Sequence, residues 1–232
     1  MMRSRNRRPG WRTTWLALAV WWAAAHDAAA DRYEATLTVQ PIGAIGRITE
    51  HVENTASGDA AVASVSGGGG EVGLRYGLRN WLDIGGEIVA TGFTQAIYDP
   101  ATVAVVGNPV MGRLMRTTRL GQLRAGATLR LGISWVPFLR LGLGVGGRAL
   151  TSATLQDREH ARELDVTPDG MNASFAIDVV ASLGIGLEHR LDRRWTVGLG
   201  ADATHAIGLG TPPLDVVSAG VSLSYTWYPL LW

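Results

Sequence analysis

The stretch from Ala176 to Thr204 reads AIDVVASLGIGLEH, then RLDRRW, then TVGLGADAT. On the first arm Ile177, Val179, Ala181, Leu183, Ile185 and Leu187 take every second position, with Asp178, Val180, Ser182, Gly184, Gly186 and Glu188 between them. On the second arm Val197, Leu199, Ala201 and Ala203 alternate with Gly198, Gly200, Asp202 and Thr204. A period of two puts one set on each face of a strand. The stretch is therefore a β-hairpin with one apolar face and one small or polar face, joined by a short charged turn with Trp195 at its exit.

The same alternation recurs along the chain. Tyr33–Val39 sets Tyr33, Ala35, Leu37 and Val39 against Glu34, Thr36 and Thr38; Pro41 interrupts it, and Ile42–Ile48 continues it through a bulge or bend. Glu53–Gly70 is small, polar and Gly-rich and reads as a flexible loop. Val72–Leu78 and Leu82–Gly92 form a second hairpin about Arg79-Asn80-Trp81, and Phe93–Met111, with two Pro, reads as a second long connection. Leu123–Ser134 and Leu139–Ala149 form a third about Trp135–Phe138, with an uncertain start near Leu114. Ser152–Asn172 is a third long connection, Gly208–Pro213 a shorter fourth, and Val217–Trp227 the last strand. The count is eight strands. A ten-strand version would use Thr102–Val106 and Val110–Met115 as an extra pair, but spanning strands need about 9–11 residues.

The short turns all fall on the side of both chain ends and the long connections on the other, as in outer-membrane barrels with short periplasmic turns and long outer loops. The prediction is an all-β, eight-stranded antiparallel up-and-down transmembrane β-barrel. A soluble barrel would carry the same alternation with its faces exchanged. Here the second face is Gly, Ser, Thr and charge, which makes a poor water-exposed sheet surface but fits a narrow lumen. Arg75, Glu87, Arg124, Arg130, Arg140, Arg148, Asp178, Glu188 and Asp202 fall on that face. They are predicted to form a lumen charge network, because a buried charge without a partner costs several kcal/mol. Trp81, Trp135 and Trp195 lie at the three tight turns, and Trp227 ends the last strand on the same side. They are the predicted periplasmic aromatic girdle.

Met1–Arg12 is basic, Trp15–Ala25 is an uncharged apolar run, and Ala28-Ala29-Ala30 offers a small-residue cleavage site. That order is a secretory signal peptide over residues 1–30, leaving a barrel over residues 31–232 outside the cytoplasm. Removing the leader takes away five Arg and Asp27, so 16 basic residues face 19 acidic ones, a net charge of −3. Nucleic-acid binding loses its electrostatic motive. There is no Cys, which excludes disulfides, thiolate metal sites and Cys nucleophiles.

Two phrases, Gly77-Leu78-Arg79-Asn80-Trp81-Leu82-Asp83-Ile84-Gly85 and Leu187-Glu188-His189-Arg190-Leu191-Asp192-Arg193-Arg194-Trp195, resemble strand-turn-strand phrases of a known group. This is the small outer-membrane β-barrel proteins of Gram-negative bacteria, the OmpA-transmembrane-domain, OmpX and OmpW-like group, and the resemblance covers residues 31–232. It implies a last strand ending on an aromatic that the barrel-assembly machinery recognises, here Tyr225, Trp227 and Trp232. Pro229 breaks that strand, and Trp232 is out of phase with the other two. Some barrels of this size resemble lipid A deacylases or acyltransferases, but His205 is followed by Ala206 and Ile207 rather than by the deacylase-like pattern.

No other enzyme signal stands out. There is no HExxH, no GxSxG elbow and no P-loop after Gly67–Gly70. Gly142–Gly147 reads as strand glycines rather than a dinucleotide fingerprint. Asp157, Glu159, Glu163, Asp165 and Asp169 read as solvated loop charges. The expected function is a non-enzymatic barrel with a structural, surface-interaction or narrow solute-passage role. It needs no cofactor, works as a monomer and has outer-membrane lipid, lipopolysaccharide and the assembly machinery as partners. The competing classes are a lipid-modifying barrel enzyme and a soluble lipocalin-like barrel.

Overall fold

The computed structural model describes residues 33–51, 60–105, 108–152, 154–157, 162–165, 173–208 and 211–229. The proposed leader and Trp232 lie outside them. The chain runs through β1 (Ala35–His51), β2 (Ala60–Arg79), β3 (Leu82–Val105), β4 (Asn108–Arg130) and β5 (Trp135–Leu150). It continues through β6 (Thr154–Asp157), β7 (Arg162–Asp165), β8 (Ser174–Arg190), β9 (Trp195–Gly208) and β10 (Thr211–Trp227). Eight of these pair antiparallel with their neighbours in the order β1, β2, β3, β4, β5, β8, β9, β10, and β10 returns to β1. The sheet is a closed eight-stranded barrel, so none of its eight strands is left with a free edge along the wall. The short β6–β7 hairpin is added to the far end of β4, where Gly112–Met115 pair with Thr154–Asp157.

Side-chain burial follows the alternation. Leu74, Ile88, Leu123, Leu143, Ile185, Leu199 and Val221 all point outward, and Leu143 is 69% exposed. An apolar surface running right around a barrel far exceeds the few hundred Å² that soluble monomers expose. Lipid is the solvent that suits it, and the closed ladder satisfies the backbone that such a solvent cannot. Both described ends and the three tight turns share one end of the barrel; there Tyr33 donates its N–H to the Gly77 carbonyl at 2.9 Å. Gly132 makes one of those turns possible. Its φ is +112°, and a Cβ there would sit 2.3 Å from the Trp135 carbonyl oxygen.

Several expected boundaries move. The Gly-rich run 67–70 is not a loop: it lies in β2, with Gly67 opposite Phe93 and Gly69 opposite Thr91. A Cβ on Gly67 or Gly69 would lie 1.8 Å from the carbonyl oxygens of Gly92 and Ala90, so the glycines are what lets β3 approach. Pro41 causes no bulge, since Gln40, Pro41 and Ile42 pair in unbroken register with Glu71, Gly70 and Gly69. The ten-strand alternative is also corrected. Thr102 and Val103 pair with Met111 and Val110 as the continuation of β3 and β4, and Asp99-Pro100 is absorbed by a register shift between Tyr98 and Ala101. The two additional strands come instead from 152–172, read from sequence as irregular. Gly208–Pro213 likewise shrinks, because β10 begins at Thr211.

Candidate functional site: a filled lumen

The inward faces converge on a lumen built in tiers. On β4 the inward residues run from the turn end as Arg130, Thr128, Gly126, Arg124, Gln122, Leu120, Thr118, Arg116 and Leu114, all buried except the half-buried Gly126. Charge therefore dominates near the tight turns, and apolar residues appear farther out.

The tier nearest the turns is centred on Arg130. Its guanidinium contacts Glu34 at 3.3 Å, Asp83 at 3.2 Å and Glu188 at 3.1 Å. Arg75 reaches the other oxygen of Glu188 at 2.7 Å, and Arg190 reaches Glu34 at 3.2 Å. Among the described residues three cations, Arg75, Arg130 and Arg190, thus meet three carboxylates, Glu34, Asp83 and Glu188. Hydroxyl pairs line the wall beside them, Thr36 with Thr226 at 3.0 Å and Thr38 with Ser224 at 2.9 Å. The next tier is centred on Arg140, which pairs with Glu71, Glu87 and Asp202. Arg124 shares two of these, Glu71 at 3.3 Å and Glu87 at 3.6 Å.

Above the charges the lumen turns apolar. Ala44, Val65, Phe93, Leu120, Val180, Ala206, Leu214 and Val216 form one buried cluster inside the barrel. Phe93 is 1% exposed and Leu120 3%. Beside it Arg148 and Asp178 form a fully buried two-pronged pair, with Nε at 3.0 Å and Nη2 at 2.8 Å from the carboxylate oxygens. Arg116 donates to the Thr151 carbonyl at 2.9 Å, and Leu155 on β6 is buried against the same end. Within the charged tiers two residual spaces measure about 10 Å³ each. Each is about the room one water requires.

The structure brings the nine sequence-predicted lumen residues inside, but into three separate groups rather than one network. Arg75, Arg130 and Glu188 meet in the first tier, Glu87, Arg124, Arg140 and Asp202 in the second, and Arg148 pairs with Asp178 farther out. Sequence reading missed Glu34, Asp83, Glu71 and Arg190. The first two stand on the polar face of strands already drawn, so the alternation held the signal. Glu71 was hidden by ending the supposed loop at Gly70, and Arg190 by its assignment to a turn.

The four Trp gather at the turn end, between 37% and 59% exposed. Trp195 packs edge-on against Tyr225 at 5.0 Å, and Tyr225 stacks with Trp227 at 6.2 Å. Trp135 stacks on His189 at 4.2 Å. In the Leu191–Arg194 turn the Asp192 carboxylate accepts the N–H groups of Arg194 at 2.6 Å and Trp195 at 2.7 Å. These two bonds hold its pKa below the ordinary Asp value. On the outer wall His205 acquires a partner that sequence reading did not supply: its Nδ1 lies 2.5 Å from Oδ1 of Asp215 on β10. The late start assigned to β10 concealed Asp215.

No protein-family model matches the chain, and no curated protein does. Among solved structures it is similar to Ail, the attachment invasion locus protein of Yersinia pestis, seen in complex with the heparin analogue sucrose octasulfate. That match has 12% identity over 84% of this chain and 99% of the other, with a TM-score of 0.46. Neisserial surface protein A shares 14% identity over 83% and 97% of the two chains, with a TM-score of 0.44. The outer membrane protein OprG from Pseudomonas aeruginosa shares 10% over 85% and 98%, with a TM-score of 0.41. These neighbours are small outer-membrane β-barrel proteins. The fold itself stands on the strand register above.

Proposed function

We propose that this chain is an exported outer-membrane barrel with a structural or surface-interaction role and a lumen that is shut. The filled lumen carries the proposal: two tiers of ion pairs lie beneath an apolar plug, leaving spaces of about 10 Å³ among the charges. A solute path would have to break both. Solute passage, one of the three roles expected from sequence, is therefore the least favoured. Residues 1–30 act as the cleaved export signal. Tyr225, Trp227 and Trp232 serve the barrel-assembly machinery, and the Trp girdle marks the periplasmic interface. The barrel works as a monomer, with outer-membrane lipid and lipopolysaccharide around its apolar belt.

The role is non-enzymatic because the inward charges are consumed by one another. One observation favours the second reading, a lipid-modifying enzyme: His205 has a carboxylate partner on the lipid-facing wall. Fractionation of cells expressing the full chain, combined with a lipid A deacylation and acyl-transfer assay on purified protein, tests both. The expected result is protein in the outer-membrane fraction with no turnover. Soluble protein would overturn the membrane reading, and turnover lost in His205→Ala would overturn the non-enzymatic one.

A further inference from the structure

Charge is divided unevenly between the two ends of the barrel. Residues 31–232 carry a net charge of −3, yet the surface of the turn end is basic. Its carboxylates Glu34, Asp83 and Glu188 are buried in the first tier, where they meet Arg75, Arg130 and Arg190. Among the described residues the three turns expose Arg79, Arg193 and Arg194 against one carboxylate, that of Asp192. Oδ1 of Asp192 accepts two backbone N–H groups, so this carboxylate is tied to its own turn. The turns also differ from one another. The stretch Leu131–Ser134 between β4 and β5 carries no charge, whereas Leu191–Arg194 between β8 and β9 carries two exposed Arg.

Arg194 is placed by three hydrogen bonds. Its N–H donates to Asp192 at 2.6 Å, its carbonyl accepts the N–H of Thr226 at 2.8 Å, and its Nη1 donates to the Tyr225 hydroxyl at 3.5 Å. Tyr225 belongs to the outward set of β10, between Leu223 and Trp227. The guanidinium is therefore drawn over the lipid-facing wall rather than beneath the lumen. Trp195 packs edge-on against the same Tyr ring at 5.0 Å. Interfacial Trp and Tyr sit at headgroup depth, so this cation stands level with lipid phosphates.

We infer that Arg194 and Tyr225, with Arg193 beside them, bind the headgroup of an anionic phospholipid in the periplasmic leaflet. The inference rests on the barrel lying in a bilayer with its turns toward the periplasm. A guanidinium fork matches two phosphate oxygens. The Tyr225 hydroxyl accepts from Arg194 and keeps its own proton to donate to the same phosphate. Toward the bilayer centre the next outward pair is Val197 with Leu223, apolar as an acyl chain requires. Charge selects the headgroup. A phosphoethanolamine or phosphocholine group brings its own cation, which two Arg repel; a phosphoglycerol group brings none.

The test uses the full-length exported protein in nanodiscs of equal phosphatidylglycerol and phosphatidylethanolamine, with retained lipid counted by native mass spectrometry. Each Arg near an anionic surface strengthens attachment by about five-fold. Retention of phosphatidylglycerol at least five-fold over phosphatidylethanolamine is expected, falling to near parity in Arg194→Gln. Arg79→Gln removes the same charge from another turn, away from Tyr225, and should leave the ratio within about two-fold of the native one. Heat-modified gel migration shows that each variant is folded. Equal retention by the native protein would overturn the inference, as would a ratio unchanged in Arg194→Gln. An equal fall in both variants would show diffuse attraction to the whole turn end and overturn the site. Failure to enter nanodiscs at all would instead overturn the membrane reading on which it rests.

Discussion

The two halves of the lumen are filled by opposite means. Nearest the turns, Arg130 and Arg140 each hold three carboxylates. Toward the outer rim, Phe93, Leu120, Val180 and Leu214 pack as an ordinary core would, beside the buried Arg148–Asp178 pair. Both shut the barrel, but they respond differently to damage. An apolar tier loses contacts and area when a side chain is cut, and its neighbours relax partway into the gap. A charged tier cannot relax in that way. Removing one member leaves its partners buried with too few counter-charges.

Arg130→Ala should therefore be the most damaging single change in the molecule. It leaves Glu34, Asp83 and Glu188 without their shared cation, for a cost of about 3–5 kcal/mol. Urea unfolding of the refolded barrel in detergent measures it, and a loss below about 1 kcal/mol would show that the tier is already hydrated and weakly coupled. Leu120→Ala, in the apolar tier, should cost about 3 kcal/mol in the same assay. Its effect should be insensitive to salt, whereas residual stability in Arg130→Ala should rise as the pH is lowered and the stranded carboxylates take up protons. If the two variants showed the same pH dependence, the division of the lumen into unlike halves would fail.

The smallest effect is expected at the Leu191–Arg194 turn. Asp192 is exposed, and its pKa is lowered by the N–H groups of Arg194 and Trp195. A carboxylate with a depressed folded pKa adds stability that is present above its unfolded value, near 3.8, and is lost as pH falls through the folded value. Asp192→Ala should thus weaken the native turn slightly at neutral pH and remove that acid-limb contribution. Thermal melts of the two proteins at pH 7 and pH 2 should differ at the first and converge at the second.

Much of this was legible in the chain itself. The alternation in 176–204 placed Asp178, Glu188 and Asp202 on the inward face and Ile185 and Leu199 outward, because a strand has two faces and no others. Boundaries were less legible. Gly67–Gly70 looked like a linker because glycine is common in loops, and only the approach of Gly92 and Ala90 shows why a strand needs it there. The division into tiers was hidden for a different reason. Periodicity tells which face a residue occupies, but the height at which faces from different strands meet depends on register. Ile42, Val89 and Val180 sit among nominally polar positions, and the lumen's apolar half only emerges once β1, β3 and β8 are aligned. His205 and Asp215 were separated by a supposed connection, so their pairing needed the β9–β10 register as well.

Single-channel recording in planar bilayers tests the central claim most directly. A barrel closed by the Arg130 and Arg140 tiers and by the Phe93–Leu120 plug should insert without producing discrete current steps, in either polarity and at high salt. A steady, reproducible conductance from the native protein, lost when the protein is omitted, would contradict the shut lumen and restore solute passage as its role.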